Sequence, residues 1–310
     1  MNNSIVGIEK IEIVDDKEKI RDALYSLLNY MKIEKKIAIP KKGKIIIKPN
    51  ICYIQGYETG TTVDPFIVQC LVEWILNNYE IETIVIAEAD ATDLNVDLAF
   101  KALGWEHMIN TFSKVKLLNL TNDELVDVKL NGLYFKKLKM SKTYMSSDYF
   151  ISVAKLKTHT MCNISCILKN QFGSKPSKNK SRYHKNLNEV IYDLNKVRIP
   201  DLCIVDGIIA MEGAGPIDGI PKAMGIIIMG DDPVAVDHAC AKIMKIDPNK
   251  ISHLKLSYSK NLGTFKYELF GKNVEDVSCK FNEGNSLWKK LIIIIANMII
   301  KIINFTRIAR

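Results

Sequence analysis

Residues 155–170, Lys-Leu-Lys-Thr-His-Thr-Met-Cys-Asn-Ile-Ser-Cys-Ile-Leu-Lys-Asn, gather more chemically useful side chains than any other stretch of this sequence. They follow Tyr149-Phe150-Ile151-Ser152-Val153-Ala154, an apolar run that reads as a buried strand. Lys155, Lys157 and His159 alternate behind it, so an extended backbone points all three to one side. Cationic groups gathered on one face at a strand end are costly to bury without an anionic partner. The plainer reading is a solvated strand exit. Against it stands the concentration of charge: residues 136–185 hold twelve Lys or Arg and one acid, Asp148, in a chain of net charge +8. The rest of the chain is therefore net acidic, and an anion-binding site is expected in this one region.

Other apolar runs end in functional residue types. Strand 44–47 ends in Lys48-Pro49-Asn50, strand 84–87 in Glu88-Ala89-Asp90, and strand 202–205 in Asp206. In a parallel sheet these ends share one edge, where open α/β sheets bind ligands. The glycine-rich stretch 206–216, with Gly213-Ala214-Gly215, lets backbone N–H groups approach an anion, although it lacks the spacing of a dinucleotide or P-loop fingerprint. Asp206 and Glu212 are suited to acid–base or metal chemistry, or to capping turns. Local metal ligands are limited to His159, Cys162, Cys166 and His184. Buried cysteines acting as small apolar residues are the simpler reading, so no metal site is assigned. The basic region has aromatic neighbours but no RNA- or DNA-binding motif, and nucleic acid is not expected as a partner.

The elements that must position these residues alternate between strand-like and helix-like stretches. The expected fold is α/β, a mostly parallel sheet with helices on both faces. A small subdomain inserted at 105–150 and an apolar C-terminal helix complete the expectation. Asp64-Pro65 and Asp232-Pro233 each place an N-cap before proline at the first helical position. Residues 171–185 read as a polar loop, and 173–183 as a mobile lid over the basic region. Seven scattered cysteines with no C-x-x-C pair support neither a disulfide framework nor a four-cysteine cluster. Met1 to Ser4 leads into a strand-like run, so no secretory signal is expected and a cytosolic protein is the default. Residues 287–305 are almost wholly apolar with basic flanks, too short an uninterrupted run to span a bilayer. As a helix they would dock on the core, self-associate, or lie on an anionic membrane surface at the inner face.

Four blocks together resemble the DUF362 family, a group of largely uncharacterised prokaryotic proteins. They are Ile46-Ile47-Lys48-Pro49-Asn50 with Thr61-Thr62 and Asp64-Pro65; Val153 to His159 through Leu168-Lys169-Asn170 and Gly173; Ile204-Val205-Asp206-Gly207 through Met211-Glu212-Gly213 and Gly215-Pro216; and Gly230 to Asp237. The resemblance implies a core domain over 1–260, followed by an irregular linker at 261–286 and the terminal helix at 287–310. Many members carry a ferredoxin-type module, which implies electron transfer through [4Fe–4S] clusters. This chain lacks the cysteine set for one, so no such cluster is expected and a redox role would need a separate electron donor. The expected function is binding of a small carboxylate or phosphate anion, in an enzyme with a possible redox link. Lys48, Lys155, Lys157 and Lys169 would neutralise the ligand and Asn50 and Asn170 orient it, with Gly213 and Gly215 lining the site. Glu88, His159, Asp206 and Glu212 would supply acid–base capacity. The alternative is a non-catalytic membrane-surface binding protein that uses the basic patch with the terminal helix.

Overall fold

Runs of Ile and Val too short for helices, each bounded by Gly, Pro or charged residues, form the strands, and amphipathic or apolar segments between them form the helices. A computed structural model of the protein describes residues 4–34 and 36–283. The strands are β1 (Ser4–Lys10), β2 (Lys44–Pro49), β3 (Thr83–Glu88), β4 (Val115–Asn119), β5 (Leu125–Lys129), β6 (Lys137–Ser141), β7 (Tyr149–His159), β8 (Asn163–Ser165), β9 (Leu202–Ala214), β10 (Asp218–Gly230) and β11 (Tyr267–Gly271). The helices are α1 (Lys17–Ile33), α2 (Pro65–Asn78), α3 (Val96–Ala102), α4 (Glu106–Thr111), α5 (Lys142–Met145), α6 (Ile167–Asn170), α7 (Leu187–Val197), α8 (Pro233–Ile243), α9 (Ser252–Ser259) and α10 (Val274–Val277).

One large sheet runs in the order β11-β1-β10-β9-β7-β2-β3-β4. The block β9-β7-β2-β3-β4 is parallel throughout, and β10 runs antiparallel to both of its neighbours. Alternation along each strand sends side chains to two separate cores. Ile45, Ile47, Ile151, Val153 and Ile204 pack against α1 to α4, while Ile46, Phe150, Ala154 and Val205 pack against α6 to α9. The expected α/β sheet with helices on both faces is therefore present. Both Asp-Pro starts also form as read: Asp64 caps α2 by accepting from Phe66 N at 2.9 Å, and Asp232 caps α8 through Val234 N at 2.7 Å.

Several expectations change. Within 105–150, expected as a small inserted subdomain, β5 and β6 form a hairpin, a separate two-stranded sheet. It is not an independent unit, because Phe135, Leu138 and Met140 join the core beneath α7. Asp193 on α7 anchors its turn, accepting from the N–H groups of Leu133, Tyr134 and Phe135 at 2.7–2.8 Å. The glycine-rich stretch 206–216 is mostly strand: β9 continues through it and pairs with β10 in a long hairpin that turns at 215–217. Residues 262–286, read as irregular, supply β11, which adds to the sheet edge in parallel with β1, and α10. The expectation for 287–305 lies outside the described residues. Among the described residues no helix is long and apolar enough to cross a membrane.

Candidate functional site

The carboxyl ends of β2, β3 and β7 lie along one edge beside Asp206, which falls within β9 rather than at its end, and the lysines there are buried. Lys48, Lys155 and Lys157 are all 0–1% exposed. Their surroundings differ, and the differences decide what each can do.

Lys155 is fully compensated. It lies opposite Asp206 in the β7–β9 ladder, and its Nζ sits 2.8 Å from Asp206 Oδ2. The same carboxylate accepts from Asp64 N at 3.0 Å and, through Oδ1, from Ile208 N at 3.1 Å. Asp64, at the start of α2, is pushed up to about 6 by burial and by the Asp206 carboxylate beside it. With every strong partner internal, the geometry gives Lys155 and Asp206 a bracing role between β7, β9 and α2.

Lys48 faces the other side of the sheet. Its Nζ lies 2.7 Å from Glu88 Oε2 and 3.0 Å from Asn170 Oδ1. Asn170, on α6, also donates to Ser152 Oγ at 3.0 Å and to Lys48 O at 3.2 Å, so it tethers α6 to β2 and β7. Asn50 donates weakly to Asn170 Oδ1 at 3.4 Å, and its own buried Oδ1 has no hydrogen-bond partner among the described residues. Burial holds the Lys48 ammonium below its ordinary range despite Glu88. Gly173 passes directly over this pair: a Cβ there would stand 2.6 Å from Lys48 Nζ and overlap Glu88 Oε1. Gly173→Ala is therefore expected to force the pair apart and destabilise the fold by about 1–3 kcal/mol, as overpacking does. Chemical denaturation checks it, and an unchanged midpoint would mean that the segment yields freely.

The remaining lysines have no carboxylate. Lys157 Nζ donates to Thr61 O at 2.7 Å and lies 3.3 Å from Pro216 O and 3.2 Å from Cys52 Sγ. Lys169, half-buried, sits 4.4 Å from the centre of the Phe172 ring. Burial lowers its affinity for a proton, and the Lys157 and Lys48 ammoniums add to that. Lys180, which sequence reasoning placed in a loop, is 5% exposed, with Nζ 2.9 Å from Gly173 O. Burial pushes it down to about 7; the Glu88 carboxylate opposes the shift, and the Lys48 and Lys169 charges add to it. The ion pairs of this neighbourhood are Lys48–Glu88, Lys155–Asp206 and Lys178–Asp90, so among the described residues Lys157, Lys169 and Lys180 stand outside any ion pair.

His159 joins them at the end of β7. Its Nδ1 accepts from Met161 N at 3.1 Å, and burial with the Lys169 charge holds it well below the ordinary histidine range. Other expected members of the site stand apart. Glu212 pairs with Lys222 at 2.9 Å and accepts from Asn282 N at 3.1 Å, contacts outside the lysine cluster. Gly213 N donates to Asn282 O, and the Gly213 carbonyl accepts from Thr158 Oγ1 at 3.0 Å. Gly215 O accepts from Thr160 N at 2.9 Å, and a Cβ at Gly215 would strike the Thr158 carbonyl. Both glycines thus serve close packing of the β9–β10 turn against β7. Cys162 and Cys166 are buried free thiols, and among the described residues no three His, Cys, Asp or Glu converge as a metal site.

The segment read as a lid, 173–183, is anchored. Ser174, Lys175, Lys180 and Tyr183 are buried, and Lys175 Nζ donates to Lys139 O at 3.1 Å. Polar composition hid this, because the lysine stems and Tyr183 cover apolar surface while carbonyls take the amines. Two surface cavities lie elsewhere, one of about 320 Å³ beside Lys44 and Thr83, the other of about 380 Å³ beside His238 and Tyr267.

Fold and site together define an α/β protein with an enclosed, lysine-rich strand-end cluster. The model of a domain of unknown function, DUF362, matches residues 45–242, and the chain belongs to the DUF362 family. A curated relative, the thylakoid-associated protein sll1697 of Synechocystis sp., is 36% identical over 124 residues, covering 38% of this chain and 39% of that protein. The match thus spans about two fifths of that relative's length. Among solved structures, the lactate racemase apoprotein of Thermoanaerobacterium thermosaccharolyticum is similar with a TM-score of 0.41 and 12% identity, over 78% of this chain and 57% of that one.

Proposed function

We propose that the protein binds a small anionic ligand, a carboxylate or phosphate, at the carboxyl edge of its sheet. The observation that carries this reading is the set of two buried lysines, Lys157 and Lys180, and the half-buried Lys169, none of them in an ion pair with a carboxylate among the described residues. Ammonium groups removed from water and left uncompensated either lose their protons or take an anion. Lys157 and Lys169 hold the ligand in this reading, and Lys180 joins them once charged. Lys48, held by Glu88 and Asn170, and the imidazole of His159 are the groups placed to move protons at it. Lys155 and Asp206 brace the edge, and Glu212 plays no part. A redox reaction would need a separate electron donor, and the class of reaction follows from the ligand once it is known.

The pH dependence has a definite sign. Lys180 sits at about 7 when folded, against 10.5 for a free side chain. Between those values the folded protein carries fewer protons, so this group's contribution to stability rises with pH across that window. An anion favours the ammonium, so affinity should rise as pH falls through about 7. Thermal-shift titration with phosphate, acetate and citrate at pH 6 and pH 8.5 is the test. Larger stabilisation at pH 6 by an anion whose own charge is constant over this range, such as acetate, reduced by Lys180→Met, is the expected result. No stabilisation by any of the three anions at either pH would overturn the reading.

A further inference from the structure

His253 has no structural partner that explains it. It is fully buried on α9, and neither ring nitrogen makes a hydrogen bond within the described protein. A neutral imidazole carries one donor and one acceptor, and leaving a buried polar group unmet costs about 1–3 kcal/mol. Such a group calls for a bound species.

Its neighbours indicate which. Three of the five histidines, His159, His184 and His253, interact with the Lys169 charge, and His159 also interacts with the other two. The Phe172 ring orders them: Lys169 Nζ lies 4.4 Å from its centre, and the His184 ring stacks on it with centroids 6.4 Å apart. Exposure is graded from rim to floor, with His184 exposed, Lys169 half-buried, and His159 and His253 buried. Because His159 Nδ1 accepts from Met161 N, the neutral ring carries its proton on Nε2 and presents a donor there.

The buried carboxylates on the helices packed around α9 and α6 are already committed. Asp237 on α8 accepts from Ile167 N and Leu168 N at 2.7 and 3.1 Å, and Asp193 on α7 holds the β5–β6 turn. Glu88 belongs to Lys48. Among the described residues no carboxylate lies within ion-pair distance of Lys157 or Lys169, the two ammoniums that act on His159, which matches a ligand of two negative charges.

We propose that Lys169, His159, His184 and His253 form a subsite for a doubly charged oxyanion, a phosphate group, with the buried imidazoles hydrogen-bonded to its oxygens. This rests on the anion-binding reading above and narrows it to one ligand class and one set of donors. The test is a titration of the full-length protein, carrying 15N-labelled histidine, with inorganic phosphate at constant pH 7.5. Calorimetry with phosphate and with acetate runs alongside.

The ring nitrogens of His159 and His253 should shift along one saturation curve while those of His107 and His238 stay still. His253→Gln should weaken phosphate binding by about tenfold or more, the weight of a hydrogen bond to a charged group. If that variant does not fold, Lys169→Met at the half-buried rim should abolish the His253 response. Anion binding by calorimetry with an unmoved His253 would sink the subsite and leave the wider reading intact. No heat with either anion would remove both.

Discussion

Asp206→Ala is expected to lower the melting temperature by roughly 10 °C. The substitution removes the sole carboxylate within ion-pair distance of Lys155, among the described residues, and leaves a fully buried ammonium behind. Breaking a buried pair from one side costs about 3–5 kcal/mol, because the surviving charge stays out of water. It also frees the Asp64 and Ile208 N–H groups that Asp206 accepts from. The double variant Lys155→Met with Asp206→Leu should recover most of that loss, since apolar replacement of both charges removes the desolvation penalty. Calorimetric melting of the three proteins checks this. A single variant that melts with the wild type would contradict the bracing role.

Lys48→Met should be comparably damaging, by about 3–5 kcal/mol, and should carry a distinct pH signature. Glu88, 2% exposed, would keep only the N–H groups of Ala89 at 3.0 Å and Ile51 at 3.4 Å. Without its ammonium the buried carboxyl is easier to protonate, so the folded variant binds more protons than the unfolded chain above the ordinary glutamate range. Its stability then falls as pH rises, and the deficit relative to wild type should be smaller at pH 5 than at pH 8. Urea midpoints at the two pH values decide. An equal deficit at both would mean that the loss is one of packing rather than of charge.

The sheet was legible because its strands are dense in β-branched residues and end abruptly. Lys44-Ile45-Ile46-Ile47, Ile84-Val85-Ile86-Ala87 and Leu202-Cys203-Ile204-Val205 all lie inside strands of the parallel block. Clustering of Lys48, Glu88, Lys155 and Asp206 at one edge followed from those ends. Their pairing did not, since which carboxylate meets which lysine depends on strand order, and β7 lies between β2 and β9.

The continuation of β9 and β10 through glycine-rich sequence is a non-local pairing that propensity opposes. Gly225, at φ 60°, sits in the irregular stretch of that ladder, and its carbonyl accepts from Ile11 N. Lys180 gave no signal at all. Ser, Lys and Asn around it suggest solvent, and the Gly173 and Ala89 carbonyls, brought close by the fold, accompany its burial. His253 was equally silent, a lone histidine on a short helix that packs against α7 and α8 and feels the Lys169 charge on α6.

The central claim is that uncompensated lysines at the strand ends hold an anion, and a calorimetric titration of Lys157→Met against wild type tests it most directly. Lys157 is buried among carbonyl oxygens with no carboxylate in reach among the described residues, so methionine should preserve the fold while removing one ligand charge. The wild-type protein should bind phosphate or acetate with an affinity that falls as salt is added. The variant, folded by circular dichroism, should bind the same anion at least about tenfold more weakly, the weight of one charged hydrogen bond. Equal affinity in the two proteins, or a salt-independent wild-type affinity, would contradict the account.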